Sequence, residues 1–320
     1  MIRALAITGP TASGKTALSL KIAKELGCEI ISCDSMQIYR GMDIGTAKAT
    51  ESERSLVRHH LIDFLSPSEN YSVERYREEA IATAEDIAQR GFIPLFVGGT
   101  GLYIDSVVRP LANESPIGSE EIRNALTERG STDEGRSELY EYLLKVDPVS
   151  AEKTHKNNLK RVVRALEIYE MTGKPKSYFD SLTVAASPEI SLGMITLDFH
   201  ERENLYKRVD LRAWQMIKDG LVAEAKMLYE LPELSSTARQ AIGYKELFSY
   251  FRGERTLDEC IEDIKLASRR YAKRQLTWFR REENAVRIYV DGDDGTMKAS
   301  ERLEAEVLEC AKQLLINKYK

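Results

Sequence analysis

No run of eighteen apolar residues occurs in the 320-residue chain, so the sequence offers no membrane-spanning helix. The arginine and alanines near the N-terminus read as part of a strand rather than an export signal, and a cytoplasmic chain is the expectation. Cysteine is scarce: Cys28, Cys33, Cys260 and Cys310 show neither C-x-x-C nor zinc-ligand spacing, which points to reduced, structural thiols and away from a metal site or disulfide framework. Internal repeats and low-complexity segments are missing. So is any excess of basic charge, since 46 Lys and Arg face 51 Asp and Glu for a net charge of −5. A nucleic-acid partner would therefore have to be held by a local concentration of cations. What remains is an ordinary globular composition, 42% hydrophobic and 30% charged, enough for one large core or two modest ones.

Against this background Gly9-Pro10-Thr11-Ala12-Ser13-Gly14-Lys15-Thr16 fits G-x-x-x-x-G-K-[ST]. In that pattern successive backbone N–H groups form an anion cradle, the lysine reaches outer phosphates and the hydroxyl meets Mg²⁺. Roughly 0.01 matches are expected by chance in a chain of this length, so composition does not explain it. An apolar run, IRALAIT, precedes the loop, and TALSLKIAKEL follows with Leu18, Ile22 and Leu26 on one helical stripe. Strand, glycine loop and helix thus arrive in the order a phosphate site requires; the alternative is an ordinary glycine-rich αβ turn.

The first third alternates, with strands expected over 2–8, 29–33, 60–64 and 93–97 and helices over 15–26 and 73–90. From about 117 to 190 the patterns are helical. Strand signal returns at 191–199, helices follow at 202–218, 221–230, 244–251 and 257–281, and a strand at 286–290 and a helix at 300–316 close the chain. The fold class read from this is α/β, a P-loop NTPase-like parallel sheet flanked by helices, with an all-helical insertion domain. The boundaries are 1–116 and 191–320 for the core and 117–190 for the insertion.

Ligands of parallel α/β sheets gather beyond the carboxyl ends of the strands. The second strand exits into CDSMQIY, which sets Asp34 and Gln37 near the phosphate loop. Asp34 reads either as a metal ligand or helix cap, or as a base for a substrate amine. The strand over 93–97 exits into GGTGLY, where Gly98, Gly99 and Gly101 permit close backbone approach to a ligand and Thr100 offers a hydroxyl; a plain tight turn is the alternative. His59 and His60 lack ligand-spaced partners and read as structural, and Tyr39 and Tyr103 read as core aromatics rather than stacking partners.

In this order GPTASGKT, DSMQIY, GTAK (45–48), HHLID (59–63), GGTGLY (98–103), RVVRALE (161–167) and IGYKE (242–246) resemble the tRNA dimethylallyltransferases, also called tRNA isopentenyltransferases. The resemblance covers nearly the whole chain. It implies transfer of a dimethylallyl group from dimethylallyl diphosphate to N6 of the adenosine 3′ of a tRNA anticodon. The loop from Gly9 to Thr16 would then hold a departing diphosphate, with Mg²⁺ as cofactor on Thr16. Lys15 and Arg212 would stabilise the charge that grows on the leaving group, Asp34 would take the amine proton, and Thr100 would bond the bridging oxygen or orient the attack.

The resemblance also implies tRNA contacts at Asp34, Ser35, Met36, Gln37 and Thr100, with the Gln37 amide suited to an adenine edge. Further contacts are implied at Arg123, Lys160, Arg161, Val162, Val163 and Arg164 in the insertion, and at Arg269, Arg270, Lys273 and Arg274 near the C-terminus. Lys160-Arg161 departs from the Gln-Arg common in the family, which weakens base-specific contact there. The segment 265–281 carries seven basic residues and no acidic one, supplying the cation concentration that an acidic chain needs to hold a polyanion; a solvated charge run is the alternative. A loop base must leave its stack to react, so a channel between core and insertion is expected. The expected partners are the tRNA anticodon stem-loop and dimethylallyl diphosphate, without a membrane, acting on a monomeric enzyme. Three competitors share parts of this pattern: a nucleoside-monophosphate-type kinase, an isopentenyltransferase of free adenine nucleotides, and an RNA-binding protein with a relic loop.

Overall fold

The computed structural model describes residues 1–109, 118–183 and 189–317. In chain order its elements begin β1 (Ile2–Thr8), α1 (Lys15–Leu26), β2 (Cys28–Ser32), α2 (Glu51–Leu56), β3 (His59–His60), α3 (Val73–Gln89), β4 (Ile93–Gly98) and α4 (Gly101–Val108). A helical stretch follows: α5 (Glu120–Arg129), α6 (Asp133–Val146), α7 (Pro148–Glu152), α8 (Leu159–Thr172) and α9 (Lys176–Thr183). The last part is β5 (Ile190–Asp198), α10 (Arg202–Lys218), α11 (Leu221–Tyr229), α12 (Phe248–Phe251), α13 (Leu257–Phe279), β6 (Val286–Tyr289) and α14 (Ser300–Asn317).

The strands form one sheet in the order β3-β2-β4-β1-β5-β6, and the pairings are parallel. Side chains alternate across it. Ala4 and Ala6 of β1 enter one apolar cluster with Phe96, Tyr76 and Ala80. Leu5 and Ile7 enter the other with Leu18 and Ile22 of α1 and Val307 of α14. Burial on both faces explains why these strands read as continuous apolar runs, and the architecture is the P-loop NTPase-like α/β sheet expected.

Strand order also brings the functional segments together. β2, β4 and β1 are consecutive neighbours, with Thr8 in register with Gly98 and Ser32 with Val97. Adjacent strands lie about 4.8 Å apart, so the chain leaves all three at one level within roughly 10 Å.

The chain divides into two compact units, Met1–Val108 with Glu189–Lys320, and Arg109–Pro188. The second unit has its own core, in which Leu126, Leu139, Leu143, Val162, Val163 and Leu166 pack together. The expected boundary at 116/117 lies outside the described residues. At the other junction Ile190 pairs with Ile2 in the sheet, so it is core and not insertion.

Three expectations about elements need correction. The strand over 60–64 is only His59–His60, because Leu61 and Asp63 turn into the left-handed region at φ 54° and 60° and break the extended pairing. A helix at 51–56 went unread; it is too short for periodicity, although Thr50 and Glu53 form a capping box around its start. The continuous helix over 244–251 is instead a 3₁₀ turn at Lys245–Leu247 followed by α12. Among the described residues, no helix is long and apolar enough to cross a membrane.

Candidate active site

At the end of β1 the glycines are used for their backbone freedom. Gly9 has φ 139°, and a Cβ there would stand 2.7 Å from the Leu197 carbonyl oxygen. Gly14 at φ 95° is the N-cap of α1 and has no side chain to block that terminus, so the first N–H groups of the helix are open to an anion. Lys15 folds back over the loop, its Nζ donating to the carbonyls of Gly9 (3.0 Å) and Pro10 (2.7 Å). Ser13 Oγ is buried without a hydrogen-bond partner among the described residues.

Two arginines of α10 face this loop. Arg208 Nε donates to the Ala12 carbonyl at 2.7 Å, and Arg212 donates to the Thr46 carbonyl at 3.4 Å. Their four-residue spacing puts both on one face of the helix. Burial, reinforced by the Arg212 charge, pulls the Lys15 ammonium down to about 7, against the Asp34 carboxylate, which raises it. Arg212 is likewise lowered by burial and supported by Asp34. Two cations and one carboxylate therefore share one field, and the cations crowd each other in a way that a polyanion between them would relieve.

Asp34 follows β2. Its Oδ1 accepts from the N–H groups of Met36 (2.9 Å) and Gln37 (3.4 Å), so it caps a turn and not the helix considered from sequence, and it uses only one oxygen to do so. Oδ2 has no hydrogen bond among the described residues and is left for a substrate. Thr100, at the start of α4, accepts the Ser35 N–H at 3.1 Å while its own N–H donates to the Cys33 carbonyl at 3.1 Å. These bonds pin the β2 and β4 exits together. The Gln37 amide is turned onto the carbonyls of Thr46 (3.2 Å) and Ala47 (3.3 Å), a backbone-holding role the sequence did not indicate.

The glycines of GGTG serve internal packing, which corrects the expected approach to a ligand. A Cβ on Gly98 would lie 2.2 Å from the Cys33 carbonyl oxygen, one on Gly99 2.0 Å from Gln275 Nε2, and one on Gly101 2.2 Å from the Trp278 ring. The remaining motifs form a scaffold behind Asp34. Buried Lys48 bonds the Tyr39 carbonyl (2.6 Å), Asp43 (2.5 Å) and Asp63 (2.8 Å). The Glu224 carboxylate accepts the N–H groups of Asp43, Ile44 and Gly45 and, at 2.6 Å, the Tyr244 hydroxyl. Tyr39 is buried, and Tyr103 stacks on Tyr76 with centroids 3.8 Å apart, so both are core aromatics. His60 bonds Glu29 at 2.7 Å and His59 the Val57 carbonyl at 2.7 Å.

On α13 and just past its end the basic run sorts by partner. Lys265 pairs with Glu262, Arg269 with Asp210 and Arg280 with Asp198. Arg270, Lys273 and Arg274 are exposed without an ion pair among the described residues. In the insertion, Lys160 and Arg161 are exposed on α8, whereas Arg123 (2.8 Å) and Arg164 (3.0 Å) both bind the fully buried Glu167. Val162 and Val163 are 1% and 3% exposed and belong to the insertion core, so their side chains cannot touch RNA. That corrects the expectation for these two residues: a helix whose one face is basic must turn the other inward. Sequence reasoning missed Arg208, Gln275 and Glu224. For Arg208 a signal existed in its four-residue spacing from Arg212; the other two sit on helices with nothing local to mark them.

This chain matches the family model described as IPP transferase over residues 37–282. It is 45% identical over 300 residues, 94% of this chain and 96% of the relative, to a tRNA dimethylallyltransferase of Carboxydothermus hydrogenoformans. To another from Anoxybacillus flavithermus it is 47% identical over 279 residues, 87% of each chain. Among solved structures it is similar to a tRNA isopentenylpyrophosphate transferase from Bacillus halodurans (40% identity, TM-score 0.73, 99% of this chain and 98% of that one). It is also similar to a eukaryotic dimethylallyltransferase described as acting on tRNA (29% identity, TM-score 0.79, 99% of this chain and 80% of that one). By this family match and these identities over nearly its whole length, this chain belongs to the tRNA dimethylallyltransferase family.

Proposed function

We propose that the protein transfers a dimethylallyl group from dimethylallyl diphosphate to N6 of the adenosine 3′ of the anticodon in tRNA, releasing diphosphate. The observation that carries this reading is the meeting, beyond the strand ends, of two half-buried cations, Lys15 and Arg212, with a carboxylate whose Oδ2 makes no hydrogen bond among the described residues.

As the allylic C–O bond breaks, carbon gains cationic character and negative charge grows on the diphosphate. Lys15, Arg208, Arg212 and the open N–H groups of α1 face that charge and stabilise it more in the transition state than in the ground state. The N6 lone pair forms the new N–C bond, and Asp34 Oδ2 takes the proton the amine must lose. Thr100 fixes the Ser35 backbone behind Asp34 and can turn its hydroxyl proton to the bridging oxygen. Mg²⁺ fits the donors present, since the Thr16 hydroxyl and the unpartnered Ser13 Oγ are the hard oxygens this ion prefers beside phosphate. Thr16 would hold it; when bound, the ion would neutralise charge on the leaving group.

For RNA, Arg270, Lys273 and Arg274 on α13 and Lys160 and Arg161 on α8 supply exposed cations without an ion pair among the described residues. Arg269 contributes less, being held by Asp210. An acceptor competition tests the reading: labelled dimethylallyl diphosphate and Mg²⁺ are offered together with tRNA, AMP and ATP. Label should enter tRNA alone; label in a free nucleotide would assign a different acceptor class.

A further inference from the structure

The Gln275 side chain, 5% exposed and seated near the C-terminal end of α13, makes two hydrogen bonds that span the site. Its Oε1 accepts the Thr11 N–H of the phosphate loop at 2.8 Å, and its Nε2 donates to the Gly99 carbonyl at 2.9 Å. One partner is an obligate donor and the other an obligate acceptor, so only one orientation of the carboxamide satisfies both. The contact also accounts for Gly99: a Cβ there would stand 2.0 Å from Nε2.

We propose that Gln275 is a positioning residue that straps the phosphate loop to the Gly98–Thr100 loop, fixing the separation between the leaving-group side and the acceptor side of the reaction. The inference rests on the function proposed above. β1 and β4 are adjacent, but their sheet pairing ends at Thr8 and Gly98. Beyond that point, among the described residues, the hydrogen bonds that link the two loops run through this one amide. In the phosphate loop Ala12 already sits in the left-handed region at φ 63°, a conformation that costs an alanine about 1 kcal/mol or more and persists only when its surroundings impose it. Thr11, held by Gln275, precedes Ala12, and Arg208 holds the Ala12 carbonyl. The strap thus keeps the N–H cradle in the geometry a diphosphate needs. Four exposed residues of the same helix, Arg270, Lys273, Arg274 and Thr277, lie on its outer side, so the strap and the RNA-facing cations share one rigid element.

The test uses Gln275→Met, which keeps length and volume but loses both hydrogen bonds, and Gly99→Ala, which displaces Nε2 while leaving Gln275 in place. Affinity for inorganic diphosphate is read by calorimetry, kcat and KM by tRNA labelling, and Tm by thermal unfolding. Each single variant should weaken diphosphate binding and lower kcat by about 10- to 100-fold, with KM for tRNA within about twofold, as expected for a small displacement of reacting groups. The double variant should be little worse than the weaker single one, since both break the same strap. A lowered Tm with diphosphate affinity and kcat unchanged would overturn the proposal and leave Gln275 a packing residue. Lys15→Ala is the reference: if it loses diphosphate while Gln275→Met does not, the strap alone fails. If neither loses it, the proposed function fails as well.

Discussion

Lys48 Nζ lies 2.8 Å from Asp63 Oδ1, fifteen residues later in the chain, and 2.6 Å from the Tyr39 carbonyl oxygen. One buried ammonium thereby ties the segment after β3 to the segment carrying Asp34. Lys48→Met leaves Asp63 with Arg54 alone and takes a hydrogen-bond donor from the Tyr39 carbonyl, and should cost about 1 to 3 kcal/mol in urea unfolding, as loss of a charged hydrogen-bond partner does. A pH signature accompanies it. Burial raises the Asp63 carboxyl, but Lys48 and Arg54 outweigh burial and hold it below its usual value. A group depressed in the folded state gives stability that is present above its unfolded pKa and lost as pH falls through the folded one. The acid-side loss of stability should therefore be smaller in Lys48→Met than in the parent.

Lys15 gives a second pH effect, on binding rather than folding. With its ammonium lowered to about 7 by burial and Arg212, the side chain is mostly neutral at pH 8, and a bound polyanion favours the charged form. Diphosphate binding at pH 8 should take up a proton, and at pH 6 it should not. Calorimetry in two buffers of different ionisation enthalpy, with Lys15→Ala subtracted, reads the difference directly.

The α13 cations should separate by partner. Arg270→Ala combined with Arg274→Ala should lower the salt slope of tRNA binding by about 0.7 to 0.9 for each phosphate that is no longer neutralised. Arg269→Ala, whose guanidinium is held by Asp210 at 2.7 Å, should change the slope less. Equal slopes for all variants would return this face to ordinary solvated charge.

Each compact unit has its own apolar core. Replacing residues 109–188 with a short linker should leave a cooperatively unfolding protein that binds diphosphate and has lost much of its tRNA affinity. Circular dichroism and diphosphate calorimetry check the first half, and filter binding the second. Normal tRNA modification by the deletion protein would assign the insertion no part in recognition.

The phosphate loop, Asp34 and GGTG were legible because each is local: a glycine spacing or strand-end residue announces itself within ten positions. Arg212 was found through family likeness, yet Arg208, one turn away and bonded to the loop itself, was passed over. Gln275 and Glu224 act on segments 264 and about 180 residues distant, and nothing around either marks a helical carboxamide or carboxylate as a tether. The GGTG glycines were read in the right place for the wrong reason, because sequence cannot say whether a close approach comes from a ligand or from the protein's own Cys33, Gln275 and Trp278. Val162 and Val163 show the converse error: a motif spans both faces of a helix, and only one of them can reach a partner.

The central claim is tested most directly by the single-turnover rate of Asp34→Asn with labelled dimethylallyl diphosphate and tRNA. Asparagine keeps an Oδ1 to accept the Met36 N–H, so the turn survives while the proton acceptor, and the charge beside Lys15 and Arg212, is removed. The account predicts a rate lower by about 10² to 10⁴, with little change in tRNA affinity. A near-normal rate would contradict it, showing that the amine proton leaves by another route.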